Sequence, residues 1–292
     1  MQKAVIFGAN GQDGIYMTEL CYKNNIKPIR VARNSGNADI LNSVANKNFV
    51  QELIADVLPD YVFHFAANST TKYDALFENH ETISTGSLNI LDAVYRISPK
   101  TKVVITGSGV QFKNVGLPIS ENTPFEAWNA YAIARIQSVY AARFFRSLGV
   151  RAYVAYLFHH ESPYRKSGHV SKMITDKIKN ILEGQDEKIS LGNIDVEKEW
   201  AFADDIVEGI FTLVNQENVF EATVGIGVTY SIRDFLNECF LQSGLEMEKY
   251  LEIKEGFVPE YPKLVSDSST INSLGWKPKT DLKKLVSILL AS

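Results

Sequence analysis

AVIFGANGQDG, residues 4–14, joins a short apolar run to three glycines, Gly8, Gly11 and Gly14, spaced three residues apart. The first glycine permits a tight turn, the second lets the backbone approach a phosphate, and the third lets the following helix pack closely on its strand. The N–H groups and the dipole at the start of that helix attract the anion. The stretch therefore predicts the start of a dinucleotide-binding fold. The residues of this turn predicted to contact the cofactor are Gly8, Asn10, Gly11, Gln12, Asp13 and Gly14.

The predicted second strand, near residues 26–31, ends without an acidic residue. An NAD site normally places Asp or Glu about 20 residues beyond the glycines, where it accepts hydrogen bonds from the ribose hydroxyls. Here Arg30 and Arg33 occupy that neighbourhood. A guanidinium group matches a phosphate through paired hydrogen bonds, so Arg33 is predicted to bind the adenosine 2′-phosphate of NADP. The alternative is that Arg33 is a solvated surface residue.

Strands and helices alternate along the first half of the chain. Residues 61–67 predict a buried strand, 87–95 a helix and 102–106 another strand. This alternation predicts an α/β fold with a Rossmann-type doubly wound parallel sheet, which binds ligands at the carboxyl ends of its strands. His64 lies inside a strand and is predicted to serve packing. The residues at that strand end predicted to line the cofactor site are Ala66, Ala67 and Asn68.

The length of the chain, 292 residues with 45% hydrophobic side chains, allows a large core and a smaller second lobe. The predicted NADP-binding domain comprises residues 1–157 together with roughly 196–216. The predicted lobe, mixed α/β and binding the substrate, comprises residues 158–195 and 217–292. In this lobe Ser231 and Asp234 are predicted to form a capping box before one helix, and a last helix is predicted after Thr280.

Composition and charge exclude several classes of partner. A net charge of −4 gives no general attraction to nucleic acid or to anionic membranes. No apolar stretch approaches the roughly 20 residues needed to cross a bilayer, and the N-terminus is predicted to be a strand without a basic leader. Cys21 and Cys239 both fall in apolar helical patterns, so they are predicted to be core thiols. We therefore expect a cytoplasmic protein that binds neither nucleic acid nor membranes.

A second chemical signal lies at the start of a predicted helix near residue 130. Tyr131 and Arg135 are four residues apart and therefore share one helical face. A cation one turn from a phenol stabilises the phenolate, so Tyr131 is predicted to exchange a proton with a substrate hydroxyl. The alternative is a pair of stacked surface side chains, and the upstream glycine turn favours the catalytic interpretation. Upstream of this helix, residues 113–128 are predicted to form a loop over the active-site edge.

Several strings in the chain are more specific than glycine spacing. They are Gly11-Gln12-Asp13-Gly14, His160-Glu161-Ser162-Pro163, Leu191-Gly192-Asn193-Ile194-Asp195, Glu199-Trp200 and Leu274-Gly275-Trp276. With them the chain resembles the extended short-chain dehydrogenase/reductase family and, within it, the GDP-mannose 4,6-dehydratases. The resemblance implies an NADP enzyme that oxidises carbon 4 of a nucleotide sugar, removes water across carbons 5 and 6, and returns the hydride to carbon 6. It also implies a homo-oligomer, because family members often pair through helix bundles.

The predicted catalytic residues are Tyr131, Arg135 and Ser108, and the first two are also predicted to contact the cofactor. The chain departs from the family pattern at Arg135 and on both sides of Ser108. Arg135 stands where the family has lysine, and Gly107-Ser108-Gly109 aligns with the family's Thr-Ser-Glu. Ser108 or Thr106 is predicted to replace the threonine as hydrogen-bond donor to the sugar. Nothing adjacent replaces the glutamate, although loss of a hydroxyl after deprotonation at carbon 5 needs a positioned acid or base.

The resemblance also implies which residues bind the substrate. His159 replaces a family asparagine and Lys198 a family arginine, and both can still reach a phosphate. A later family arginine has no counterpart, because residues 258–260 read Val-Pro-Glu. No metal site is expected at His159 and His160, since no cysteine or clustered carboxylates lie nearby. The predicted substrate-binding residues are His159, Glu161, Arg165, Val170, Lys172 and Lys198.

Three functions remain open from the sequence. The first is a nucleotide-sugar 4,6-dehydratase with Tyr131 as acid–base group and Arg135 as its electrostatic partner. The second keeps only the hydride step, as in a reductase, dehydrogenase or epimerase working at carbon 4. The third is a non-catalytic relative that senses the cofactor or the nucleotide sugar, its catalytic residues lost at Gly107, Gly109 and Arg135.

Overall fold

A central parallel sheet of seven strands organises the structure, a computed structural model that describes residues 1–292. The strands of the molecule are β1 (Lys3–Phe7), β2 (Lys27–Ala32), β3 (Ile40–Leu41), β4 (Tyr61–His64), β5 (Lys102–Ser108), β6 (Arg151–Leu157), β7 (His160–Glu161), β8 (Ile189–Leu191), β9 (Glu197–Lys198), β10 (Ala201–Phe202), β11 (Glu221–Val224), β12 (Tyr230–Ser231), β13 (Leu251–Ile253) and β14 (Lys263–Leu264). The α-helices are α1 (Gln12–Lys23), α2 (Lys47–Val57), α3 (Leu76–Asn79), α4 (Gly86–Ile97), α5 (Ala130–Ser147), α6 (Val170–Leu182), α7 (Ala203–Val214), α8 (Ile232–Ser243), α9 (Ser269–Ser273) and α10 (Leu282–Ala291).

The strand order of the central sheet is β11-β6-β5-β4-β1-β2-β3, and every neighbouring pair is parallel. Strands β2 and β3 extend the sheet on one side of β1, and the later strands β4, β5, β6 and β11 extend it on the other side. This reversal leaves a crevice at the carboxyl ends of β1 and β4, where doubly wound sheets bind ligands. The predicted Rossmann-type α/β class is confirmed.

Helices cover both faces of the sheet because its strands are apolar on both sides. On β5, Val104 packs with α1 and α7, whereas Val103 and Ile105 point to the opposite face and pack with α2, α4 and α5. The side-chain period of a strand is two, so consecutive residues serve the two cores in turn. Both cores are therefore anchored on the same strands that carry the site at their ends.

A third core lies between α6, α8 and α10, around Trp200, Phe235 and Cys239. The rings of Trp200 and Phe235 are stacked with centroids 4.2 Å apart. Two small sheets, β12-β9-β14 and β13-β8, border this core, which gives the mixed α/β character expected of a second lobe. The predicted capping box at Ser231 and Asp234 begins α8, as the sequence indicated.

The predicted boundary of the lobe is wrong at one segment. Residues 217–292 were assigned to it, but β11 is an edge strand of the central sheet and pairs with β6, Glu221 opposite Val154. Ile271 and Trp276 also pack in the core beneath the central sheet. The edge of β6 would otherwise present unpaired backbone groups, so the chain returns to cover it.

The stretch 113–128 contains no helix or strand, as expected of a loop, and its place over the active-site edge stays a prediction. It folds back on itself, with the Lys113 N–H donating to the Pro124 carbonyl at 2.8 Å. It then docks on the segment around β14, where the Asn114 amide donates to the Lys263 carbonyl at 2.8 Å. These two bonds close the loop and hold it on the segment around β14. Among the helices, none has both the length and the apolar character needed to cross a bilayer.

Candidate active site

The glycine turn has the geometry of a phosphate cradle. Gly8 has φ +88°, and a Cβ placed there would lie 2.6 Å from the backbone nitrogen of Ala66. A Cβ at Gly14 would lie 2.4 Å from the Gly8 carbonyl oxygen. Gly11 precedes α1 without a side-chain cap, so the first N–H groups of the helix remain available to an anion. These features fit the diphosphate of a dinucleotide.

A small cavity of about 120 Å³ lies beside this turn, between the ends of β1, β2 and β4. Ala66 and Ala67 line it together with Arg33. Asn10 also lines it, and its side chain fixes the loop after β2 by donating to the Asn34 carbonyl at 2.8 Å and accepting from the Asn37 N–H at 2.8 Å. The cavity is thus shaped by residues that the sequence assigned to the cofactor.

A larger cavity of about 530 Å³ begins at the glycine turn and extends along the carboxyl ends of β4, β5 and β6. Gly11 and Asn68 line the end near the turn, and Ser108, Tyr131 and Arg135 line the same cavity. The structure therefore brings the predicted catalytic residues to the same cavity as part of the predicted cofactor set, while Gly8, Asn10, Arg33 and Ala66 line only the small cavity.

Tyr131 and Arg135 are stacked in this wall at the start of α5. The helix begins where the Asn129 side chain accepts from the Ala132 N–H, which places Tyr131 in its first turn. The guanidinium carbon of Arg135 lies 4.9 Å from the centre of the Tyr131 ring. Arg135 is buried, and its Nη1 donates to the carbonyl of Thr106 at 2.6 Å and to its hydroxyl at 2.7 Å. A fixed cation thus lies over the phenol, as the one-turn spacing predicted.

Ser108, and not Thr106, keeps a donor for the cavity. The Thr106 hydroxyl accepts a hydrogen bond from Arg135 and donates one to the His64 carbonyl at 3.0 Å. Its only hydrogen is therefore already engaged. Ser108 begins the short turn of residues 109–111, and its oxygen caps this turn by accepting from backbone N–H groups, among them that of Val110 at 3.5 Å. Its hydroxyl hydrogen has no use in that contact and can turn toward a ligand.

Charged side chains join the glycine turn to the segment after β6. His160 Nε2 lies 2.9 Å from Asp13 Oδ1, and the Gln12 amide donates to the His160 carbonyl at 3.2 Å. Burial alone would raise the pKa of Asp13, but the neighbouring His160 and Arg165 reverse the effect and hold it below its usual value. Gln12 and Asp13 therefore connect the glycine turn to the segment around His160, which was predicted to bind the substrate.

Glu161 occupies the centre of a buried ionic cluster. It is fully buried, accepts from Arg165 Nε at 2.9 Å, and lies 2.7 Å from His159 Nε2. Burial would raise the pKa of Glu161, but Arg165 holds it well below its usual value. Burial and the nearby Lys198 lower the pKa of His159 to about 3, so its imidazole is neutral. The carboxylate thus fixes the guanidinium of Arg165, which lines the cavity.

A family model for the GDP-mannose 4,6-dehydratases matches residues 5–289, nearly the whole chain. The chain belongs to the GDP-mannose 4,6-dehydratase family. It is 29% identical to GDP-mannose 4,6 dehydratase 1 of Arabidopsis thaliana, over 98% of this chain and 88% of that one. It is 26% identical to GDP-mannose 4,6-dehydratase of Vibrio cholerae, over 99% of this chain and 92% of that one.

Solved structures of nucleotide-sugar enzymes share the fold. RMD from Pseudomonas aeruginosa, complexed with NADPH, superposes with a TM-score of 0.86 at 19% identity, over 100% of this chain and 98% of that one. The dTDP-glucose 4,6-dehydratase of Bacillus anthracis, in complex with NAD, gives 0.86 at 14% identity, over 100% and 96%. These likenesses show the Rossmann-type architecture, and the cofactors in them are NADPH and NAD.

Gly107 and Gly109 each lie against an aromatic ring that leaves no room for a side chain. A Cβ at Gly107 would lie 2.5 Å from Cδ1 of Tyr156, and a Cβ at Gly109 would lie 2.8 Å from Cε1 of Phe158. Both contacts are closer than side-chain carbons approach one another. In this member of the GDP-mannose 4,6-dehydratase family, the rings of β6 and of the residue after it fill the space that side chains at 107 and 109 would need.

Two of the predicted substrate residues, His159 and Arg165, line the large cavity, and the other four do not. Glu161 lies beneath Arg165, and Val170 packs against the third core. Lys172 forms an ion pair with Asp176 at 2.7 Å. Lys198 is buried with its Nζ 4.4 Å from the Trp200 ring centre, and burial lowers its pKa to about 8.

Sequence reasoning missed several residues of the cavity wall. Lys166 lines both cavities, and Lys72, His169 and Tyr261 line the large one. Lys166 follows Arg165 directly, so its position after the Ser-Pro turn was a usable signal. Tyr261 comes from a distant part of the chain, where nothing in the local pattern indicated the site. No group of three or more His, Cys, Asp or Glu side chains is arranged to hold a metal ion.

Proposed function

We propose that this protein transfers hydride at carbon 4 of a nucleotide sugar, a GDP-hexose, and that NADP is its cofactor. One observation carries the proposal. The phosphate-cradling turn at Gly11 and the acid–base pair Tyr131 and Arg135 lie on one continuous cavity of about 530 Å³. A cavity of this size with a few convergent polar groups is typical of small-molecule sites. Membership of the GDP-mannose 4,6-dehydratase family supports the choice of a GDP-sugar.

NADP is favoured by the cationic end of β2. Arg33 lines the small cavity, and no acid of β2 or its following turn lines it to accept bonds from ribose hydroxyls. Arg30 is not available, because its guanidinium bonds Asp39 and Asn37. Arg33 is therefore the guanidinium that would hold a 2′-phosphate. When bound, the cofactor supplies a nicotinamide ring that accepts or returns a hydride.

The residues of the chain supply the proton chemistry and the orientation. We assign Tyr131 as the group that takes the proton of the sugar hydroxyl as carbon 4 is oxidised and returns it on reduction. Arg135 lies over the ring, where two hydrogen bonds to Thr106 hold its guanidinium in place. The Ser108 hydroxyl donates to the same sugar oxygen. Arg165 and His159 are assigned to the diphosphate side of the substrate.

A second candidate is hydride transfer without elimination of water. It is favoured because the wall of the large cavity offers only one carboxylate. Asp13 is the only carboxylate that lines the large cavity, and it is paired with His160. The space at Gly109 is filled by the Phe158 ring, so no side chain from that position reaches a sugar carbon. A reductase or epimerase acting at carbon 4 needs no such acid. The third candidate, a non-catalytic sensor, requires only that both ligands bind.

Product analysis separates these candidates. Incubation with GDP-mannose and NADP is expected to give a product that mass spectrometry detects, because the acid–base pair and the cofactor turn share one cavity. A sugar lighter by one water identifies a dehydratase. Consumption of NADPH with a GDP-4-keto-hexose identifies a reductase, and conversion to a stereoisomer of equal mass identifies an epimerase. Ligand binding without turnover of any GDP-sugar would contradict the enzymatic proposal.

We further propose a homo-oligomer that pairs through α4 and α5. Both helices expose large apolar side chains beside one another, and Tyr140 and Phe144 of α5 are 58% and 59% exposed. Leu88 and Tyr95 of α4 are also exposed. An apolar face shared by two packed helices marks an interaction surface. Two buried free thiols fit a reducing compartment, so we place the assembly in the cytoplasm, without nucleic acid or membrane partners.

Replacing Phe144 by glutamate is expected to convert this oligomer to monomers, because an unpaired carboxylate would be buried in the interface. Light scattering after size-exclusion chromatography at micromolar concentration measures the mass. The control is Leu241→Glu, at an exposed apolar residue on α8, which should leave the mass unchanged. A wild-type protein that elutes as a monomer, or a Phe144→Glu variant of unchanged oligomeric mass, would contradict the proposed interface.

A further inference from the structure

Glu78 of α3 bridges the carboxyl ends of two strands of the central sheet. Its Oε1 lies 2.7 Å from Nη2 of Arg33, which follows β2. Its Oε2 accepts from the side-chain amide of Asn68 at 2.7 Å, and Asn68 follows β4. Because β2 and β4 flank β1 in the sheet, one carboxylate spans the crevice that the glycine turn enters.

The partners of Glu78 belong to different cavities. Arg33 lines the small cavity and Asn68 the large one. Lys166 lines both cavities and acts electrostatically on Glu78. The hydrogen bonds from Arg33 and Asn68, together with these cations, keep the pKa of Glu78 below its usual value, so the group is ionised at neutral pH. The ionised carboxylate of Glu78 therefore lies between the small cavity and the large cavity.

At the carboxyl end of β2, Arg33 is the guanidinium available to bind a phosphate. Part of its hydrogen-bonding capacity is already taken by the ion pair with Glu78. Arg30 is held in a short fork by Asp39. Arg33 is the more exposed of the two arginines, with 53% of its side chain exposed against 25% for Arg30, and Glu78 is 38% exposed. An ion pair of this exposure stabilises the fold little, so a phosphate dianion can displace it. The displaced carboxylate still lies close to the phosphate and repels it.

We propose that Glu78 sets how strongly the site distinguishes NADP from NAD, as an internal counter-ion that the adenosine 2′-phosphate must displace from Arg33. The inference rests on the proposed function, in which a nicotinamide dinucleotide occupies this site. A cofactor without the 2′-phosphate leaves the Arg33–Glu78 pair intact. Glu78 therefore acts on one of the two cofactors only, which a residue that merely braces the crevice would not do.

The test is direct titration of NADPH and NADH, followed by nicotinamide fluorescence or calorimetry, without any turnover. Glu78→Gln removes the charge and keeps an oxygen that can accept from Asn68. It is expected to lower the Kd for NADPH by about 3- to 10-fold and to change the Kd for NADH by less than about 2-fold. The matched control is Glu81→Gln, an exposed acid three residues further along, which should change neither Kd beyond about 2-fold.

A second variant isolates the role of Arg33. In an Arg33→Ala background, Glu78→Gln should lose most of its selective effect on NADPH, because the guanidinium that it competes for is absent. Equal changes in the affinities for NADPH and NADH, or none in either, would overturn the inference. Tighter wild-type binding of NADH than of NADPH would instead refute the NADP assignment, while a selective effect of Glu78→Gln on NADPH would still support the counter-ion. Failure to bind either cofactor would refute both proposals.

Discussion

Replacing Tyr131 by phenylalanine is expected to lower kcat for any nucleotide sugar that the protein converts, by a factor of about 10² to 10⁴. The change deletes one oxygen, the atom assigned to carry the proton of the substrate hydroxyl. The ring stays in place under Arg135, whose hydrogen bonds go to Thr106 and not to the phenol. Steady-state kinetics should therefore show a fall in kcat, while the Kd for the cofactor and the Tm stay close to those of the wild type.

Tyr140→Phe is the matched control for this prediction. Tyr140 lies on the same helix, α5, but is 58% exposed and does not line the cavity. The same atom is deleted from the same residue type, so helix propensity and ring packing change alike in both variants. A Tyr131→Phe variant that keeps the full turnover would remove the phenol from the mechanism. Equal losses in the two variants would point to a structural effect on α5.

The part of the site that the sequence predicts is the part built by local chemistry. The glycine spacing requires backbone geometry that only this residue type adopts, and Gly8 indeed has φ +88°. The spacing of Tyr131 and Arg135 is likewise a property of one helix, and the two side chains are stacked. Such features depend on a few neighbouring residues, so the rest of the fold has little influence on them.

The parts that the sequence did not predict depend on distant segments meeting. Glu78 is an ordinary polar residue in its local pattern, and its position between Arg33 and Asn68 follows from the order of β2, β1 and β4. The place of β11 in the central sheet is set by its pairing with the edge of β6, more than 60 residues earlier in the chain. The docking of the loop 113–128 near β14 is likewise a long-range contact, since Asn114 and Lys263 are 149 residues apart.

Glu161→Gln is expected to destabilise the fold by about 3–5 kcal/mol, which would lower the Tm by roughly 6–10 °C. Glu161 is fully buried and is the carboxylate partner of Arg165, which is itself largely buried. Glutamine has nearly the same shape, but it leaves the guanidinium as an uncompensated charge. Chemical denaturation at pH 7 measures the loss. Glu246→Gln, which breaks the exposed pair with Lys249, is the control and should leave the free energy of unfolding nearly unchanged.

The pH dependence of stability should identify Glu161 as the group responsible. Its pKa is well below the ordinary 4.5 in the folded chain, so the unfolded chain takes up a proton first as the pH falls. The stabilisation is therefore complete above about pH 5 and declines below that value toward the folded pKa. The difference in unfolding free energy between wild type and Glu161→Gln should shrink on acidification. A difference that does not vary with pH would assign the effect to packing.

A double variant distinguishes the buried charge from the site that it positions. Glu161→Gln combined with Arg165→Met removes both members of the ion pair, so much of the lost stability should return, because no unpaired charge remains buried. Binding of the nucleotide sugar should not return, since Arg165 is the member of the pair that lines the cavity. Recovery of stability together with binding would show that the cluster serves the fold alone. Recovery of stability without binding would assign Glu161 as the positioning residue for Arg165.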